Sequence, residues 1–153
     1  MFVETGTISI ALYARATALD YHWALYHQWS PNRGTKYHIR DLGDGWIEGH
    51  EDISNISKDF LLIGPLTVAN GVPAELKEPI KHCLTAVPYN GEGVTCRTWV
   101  IQALQTCKNA GLIHCSSPEH LEKEAKAFGY SQFEDTANNV QPRPVIKDSQ
   151  LSL

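Results

Sequence analysis

The 153-residue chain is 42% hydrophobic and 20% charged, values that suit one globular domain able to bury about two-thirds of its unfolded surface without a disulfide or metal staple. Thirteen Lys and Arg against seventeen Asp and Glu give a net charge of −4 with no basic cluster, which argues against nucleic acid or an anionic membrane as partner. No apolar run approaches the ~20 residues needed to span a bilayer. The opening Met-Phe-Val-Glu-Thr-Gly lacks the basic stretch and apolar run of a secretory leader, so the expected setting is the reducing cytoplasm. There Cys83, Cys96, Cys107 and Cys115 are free thiols, none in a Cys-x-x-Cys pair.

The first half reads as strands. In Thr7 to Tyr13, Ile8, Ile10 and Leu12 alternate with smaller or polar residues. Tyr21 to Gln28 is a second such run, and Ser30-Pro31-Asn32-Arg33-Gly34 supplies turn chemistry after it. Thr35 to Asp41, Trp46 to Glu51 and Phe60 to Val68 follow, the last bent near Gly64-Pro65, with Pro65 suggesting an edge position or bulge.

The second half reads as helices. Ala74 to Val87 has helical composition, with Pro79 kinking it or marking its true first turn. Cys96 to Asn109 carries the clearest pattern: Cys96, Trp99, Val100, Ala103, Leu104 and Cys107 form one apolar stripe. Thr95 is its expected N-cap and Gly111 its stop. Ser117-Pro118 opens a third helix running to about Phe128. The predicted class is α+β, an antiparallel sheet of about five strands with about three helices packed on it. One domain covers residues 1–133; from Glu134 the chain is polar, carries Pro142 and Pro144, and reads as a loose tail.

Cys96 is the chemical focus. At a helix start, free N–H groups and the positive dipole end favour a thiolate, and the N–H groups of Cys96 and Arg97 suit an oxyanion. Asn90-Gly91-Glu92-Gly93 gives the sulfur an open approach. The same residue on the Trp99 stripe equally suits a buried core thiol. Cys107 and Cys83 read as core. His22 is the candidate base and His38, on the next predicted strand, its orienter. Both are even-numbered, so an even-with-even register across a hairpin at Pro31-Asn32 puts them on one face. Two half-exposed strand histidines are the plainer alternative. Asp20 and Asp41 are alternative orienters, and Tyr21, Trp23 and Arg97 are the expected substrate-contacting side chains. His27 should face away from His22. His50 sits in an acidic stretch, His82 and His120 read as helix surface, and His114 beside Cys115 is a weak metal pair. A zinc site from His22, His38 and Cys96 lacks a metal spacing, so no metal or cofactor is expected.

The order of these parts resembles a known arrangement. Tyr21-His22-Trp23-Ala24-Leu25, then Tyr37-His38, then Val94-Thr95-Cys96-Arg97-Thr98-Trp99-Val100 is similar to the circularly permuted NlpC-like cysteine fold. That is the arrangement of the lecithin:retinol acyltransferase-like and PPPDE families, and of a group of small fungal proteins. The likeness spans about residues 7 to 110. It implies Cys96 as nucleophile, His22 as general base and His38 as the polar third member. These families commonly have Asn before the cysteine, where this chain has Thr95, and the long apolar segment of the membrane-bound acyltransferases is missing. The expectation is a thiol-dependent hydrolase or acyltransferase acting on an amide or ester of a small molecule or peptide. A binding module on the same fold, and a cyclase or isomerase using the histidines for proton transfer, are the alternatives.

Overall fold

The computed structural model describes residues 3–14, 21–41, 43–59, 61–138 and 145–150. The strands are β1 (Thr7–Ala14), β2 (Tyr21–Ser30), β3 (Arg33–Tyr37), β4 (Ile39–Asp41), β5 (Trp46–Glu48), β6 (Glu51–Ile53), β7 (Leu62–Ala69) and β8 (Lys147–Asp148). The helices are α1 (Lys77–Thr85), α2 (Cys96–Asn109) and α3 (Pro118–Ala137), with short 3-10 turns at Ile56–Lys58 and Ala74–Leu76. Six strands form one sheet in the order β6-β3-β2-β1-β7-β8, antiparallel except for β7 with β8, and β4 pairs with β5 in a separate two-stranded sheet.

Side-chain alternation divides the sheet into two packed layers. Ile8, Ile10, Leu12 and Ala14 of β1 and Tyr21, Trp23 and Leu25 of β2 join the main core under the helices. Ala11, Tyr13, Ala24 and Tyr26 face the other way, onto Ile56 and Leu62. The helices lie on the first face: α2 packs on β2, and α3 on β1 and β7. Gly129 lets α3 approach closely, because a Cβ there would stand 2.9 Å from the Tyr21 ring. The apolar stripe of α2 is buried from Cys96 through Cys107, and each large side chain on it contributes about 1.5–3 kcal/mol of burial.

Three expectations need correction. The predicted third strand breaks at His38 into β3 and β4, and the predicted fourth breaks at Gly49-His50 into β5 and β6. Each half belongs to a different sheet, so what reads as two straight strands is two corners. The first turn of the predicted Ala74–Val87 helix is 3-10, and Pro79 lies in the first turn of α1, where its missing N–H costs nothing. The segment from Glu134 is helical to Ala137, and Lys147–Asp148 adds a strand beside β7. Phe133 packs on Tyr21 with ring centroids 5.9 Å apart, which extends the apolar face of α3 past Phe128. Ser149 Oγ and the Gln150 N–H both donate to the Glu124 carboxylate. Pro142, Pro144, Phe60 and Asp20 lie outside the described residues. Pro65 is tolerated in β7 because Ile63 and Thr67, which share its hydrogen-bonding direction, point their carbonyls at Val145 and Ser149 rather than at β1.

Candidate active site

Residues directly opposite in an antiparallel ladder share a face. Tyr13 faces His22 across β1 and β2, so His22 belongs with Tyr13, Ala24 and Tyr26. Past a register shift after Ser30–Arg33, the β2–β3 ladder pairs odd with odd and even with even from His27 with Thr35 to Leu25 with Tyr37, which carries His38 to the face of His22. The two rings meet: His22 Nε2 lies 2.7 Å from His38 Nδ1, with centroids 4.9 Å apart at 70°. His27 packs on the other side, as expected from its odd number.

His38 is buried, and burial, with the nearby charges of His22, Lys36 and His50, pushes its pKa down to about 3. It is therefore neutral at physiological pH and carries one N–H. The Gly49 backbone nearby works the other way and favours its charged form, a smaller effect than burial. The nitrogen beside Gly49 is Nε2, since a Cβ on that glycine would lie 2.9 Å from it. Between His22 Nε2 and His38 Nδ1 one ring donates and the other accepts, as their tautomers dictate. The tautomer in which His22 donates has its acceptor nitrogen at Nδ1, the nitrogen a general base would use.

Around the pair lies a polar surround. The Tyr13 ring is 6.0 Å from His22, and its hydroxyl donates to Asp59 Oδ2 at 2.8 Å. Burial and the Asp59 carboxylate raise the phenol's pKa, keeping it protonated. Lys36 stands 4.9 Å over that ring and 3.4 Å from both Glu51 and Asp59, so a half-buried cation and its carboxylates border the histidines in a satisfied cluster.

Cys96 is the first residue of α2. Thr95 caps that helix with a reciprocal bond: its Oγ1 accepts from the Thr98 N–H at 3.2 Å, and Thr98 Oγ1 accepts from the Thr95 N–H at 2.8 Å. A hydroxyl thus performs the capping task that an Asn side chain performs equally well. Cys96 is 5% exposed and packs in the helix-side core with Trp99. The thiol and the imidazole pair consequently approach from different layers. Among the described residues, β2 has only β1 as ladder neighbour over Tyr21 to Ala24, so the sheet is open at its edge beside His22.

The other expected site residues stand elsewhere. Tyr21 and Trp23 are buried in the helix-side core, Trp23 at 3% exposure, because their odd positions turn them under α2 and α3. Neither offers a substrate surface. Arg97 pairs with Glu122 of α3, Nε to Oε2 3.4 Å. Asp41 is exposed and accepts the Gly43 N–H at 2.8 Å, which occupies it in its own turn. Cys107 and Cys115 are buried and Cys83 half-buried; His82, His114 and His120 are exposed. No group of three or more His, Cys, Asp or Glu among the described residues is arranged to hold a metal ion, and no described helix is long and apolar enough to cross a membrane.

Sequence reasoning missed Gly49 and His50. His50 Nδ1 accepts the His38 backbone N–H at 3.0 Å, and the Gly49 N–H donates to the His38 carbonyl at 2.9 Å. The signal was available: a glycine inside a predicted strand marks a bulge or a close approach, and here it is followed by a histidine. No family model, no curated protein and no solved structure matches the chain.

Proposed function

We propose that the protein is a thiol-dependent hydrolase or acyltransferase acting on an amide or ester through an acyl-enzyme on Cys96. The observation that carries this reading is the His22–His38 contact at 2.7 Å, in which donation from His22 Nε2 leaves its Nδ1 to serve as the base. The likeness of the His22, His38 and Cys96 segments to the permuted NlpC-like pattern supplies the nucleophile. In this reading the thiol from the helix layer meets the imidazole from the other layer at the open edge of β2.

In this mechanism His22 Nδ1 takes the Cys96 thiol proton, and the thiolate attacks the substrate carbonyl carbon. His38, holding Nε2–H of His22, keeps the ring in the required tautomer. The tetrahedral intermediate places its oxyanion toward the N-terminus of α2. It collapses as the C–N or C–O bond breaks and His22 returns the proton to the leaving amine or alcohol. Water, or an incoming amine or alcohol deprotonated by His22, then attacks the thioester and frees Cys96.

A second reading has a specific observation in its favour. Strand alternation puts His22 on the face opposite the core that holds Cys96, which suits proton transfer by the histidine pair without an acyl-enzyme. Incubation with p-nitrophenyl acetate, followed by peptide mass spectrometry, separates the two. The thiol mechanism gives a burst of nitrophenolate and an acetyl group on Cys96, lost in Cys96→Ser. Acetylation confined to lysines or to His22 contradicts it.

A further inference from the structure

We infer that His50 is a positioning residue that ties the helix bearing Cys96 to the His22–His38 pair. The inference deepens the thiol-enzyme reading and rests on it for its effect on reactivity, whereas the contacts themselves do not.

The Gly49-His50 dipeptide grips His38 at two points. His50 Nδ1 accepts its backbone N–H at 3.0 Å, and the Gly49 N–H donates to its carbonyl at 2.9 Å. His38 needs this grip because it lies between β3 and β4, outside either strand. The His50 ring also packs 5.3 Å from Tyr37 and 5.4 Å from Trp99, centroid to centroid. Trp99 sits one turn after Cys96 on the same face of α2, and its indole N–H donates to the Val87 carbonyl at 3.3 Å. Displacing His50 therefore disturbs the seat of His38 and the packing of the Cys96 helix together. Burial of His50 favours its neutral form, which the acceptor role requires, because a protonated ring has no lone pair to offer. Its Nε2 then carries the proton.

The test begins on the unmodified protein. Nitrogen NMR of the 15N-labelled chain should show His50 Nδ1 unprotonated and coupled across the hydrogen bond to the His38 amide nitrogen. His50→Leu keeps apolar packing between Tyr37 and Trp99 but removes the acceptor. It should shift the ring nitrogens of His38 and slow iodoacetamide modification of Cys96 about tenfold, the scale expected when a reacting pair is misplaced by a fraction of an ångström. His50→Asn offers a carbonyl oxygen near the position of Nδ1 and should restore both readouts. Absence of the coupling in the unmodified protein, or a folded His50→Leu variant with unchanged His38 shifts, overturns the inference. If instead those shifts move while Cys96 reacts at the same rate in His22→Ala as in the parent, His50 keeps its positioning role and the thiol-enzyme reading fails.

Discussion

His22 Nε2 lies 2.7 Å from His38 Nδ1, although the two residues are not ladder partners. The β2–β3 ladder stops at Leu25 and Tyr37, and its continuation would set His38 opposite Ala24, two residues from His22 on the same face. The His38 ring reaches back along that diagonal, a span within range of long and aromatic side chains. It is held there through its main chain by Gly49 and His50, at the corner between β5 and β6.

Removing the base should leave Cys96 a slow nucleophile. In His22→Ala, alkylation of Cys96 near neutral pH should fall by about a hundredfold, the low end of what a positioned base supplies. His38→Leu, which leaves His22 without its acceptor, should lose about tenfold through the wrong tautomer. Time-resolved peptide mass spectrometry checks both, and circular dichroism confirms that the variants are folded.

Acid should destabilise the fold before most carboxylates titrate. Burial pushes the pKa of His27 from 6.5 down to about 4 and that of His38 to about 3. Above about pH 6.5 these rings are neutral in both folded and unfolded chains. Below it the unfolded chain takes up protons that the folded chain refuses, so stability falls until the folded rings themselves protonate. At pH 5 each ring costs on the order of 2 kcal/mol. His27 Nδ1 has no hydrogen-bond partner among the described residues, so His27→Leu should be close to neutral at pH 7.5 and stabilising at pH 5. Urea titrations at both pH values measure this, and equal slopes against pH in parent and variant would contradict it.

Two glycines separate structural from chemical effects. A Cβ on Gly34 would collide with the Tyr26 ring and the His27 carbonyl, so Gly34→Ala should lower stability by about 1–3 kcal/mol by prising β3 from β2. A Cβ on Gly49 would sit 2.9 Å from His38 Nε2 and from the Arg40 side chain, and the exposed Arg40 can give way. Gly49→Ala should therefore cost little stability yet slow Cys96 alkylation by turning His38. Denaturant midpoints paired with alkylation rates distinguish the two, and equal stability losses would contradict the distinction.

Much of this was legible because it depends on local periodicity. The stripe from Cys96 to Cys107 gives α2 to the residue, and the even numbering of His22 and His38 gives their shared face once the register is even. The corners were not legible. Runs such as Thr35 to Asp41 and Trp46 to Glu51 alternate like straight strands, and only tertiary pairing shows that they bend at His38 and at Gly49-His50. The same bends hid His50, whose neighbours Tyr37 and Trp99 come from distant segments. Tyr21 and Trp23 were misplaced for the opposite reason. Flanking His22 in sequence puts a residue on the other side of a strand, and they pack in the helix-side core.

Competitive labelling of the four thiols by iodoacetamide in the folded protein tests the central claim most directly. On exposure alone the half-buried Cys83 should react first, ahead of the buried Cys96, Cys107 and Cys115. A thiol at a helix N-terminus that shares its proton with an imidazole base reverses that order. The expected result is Cys96 modified at least about tenfold faster than Cys83 near neutral pH, with the advantage lost in His22→Ala. Labelling that follows exposure, with Cys83 first and no response to His22→Ala, would contradict a nucleophilic Cys96.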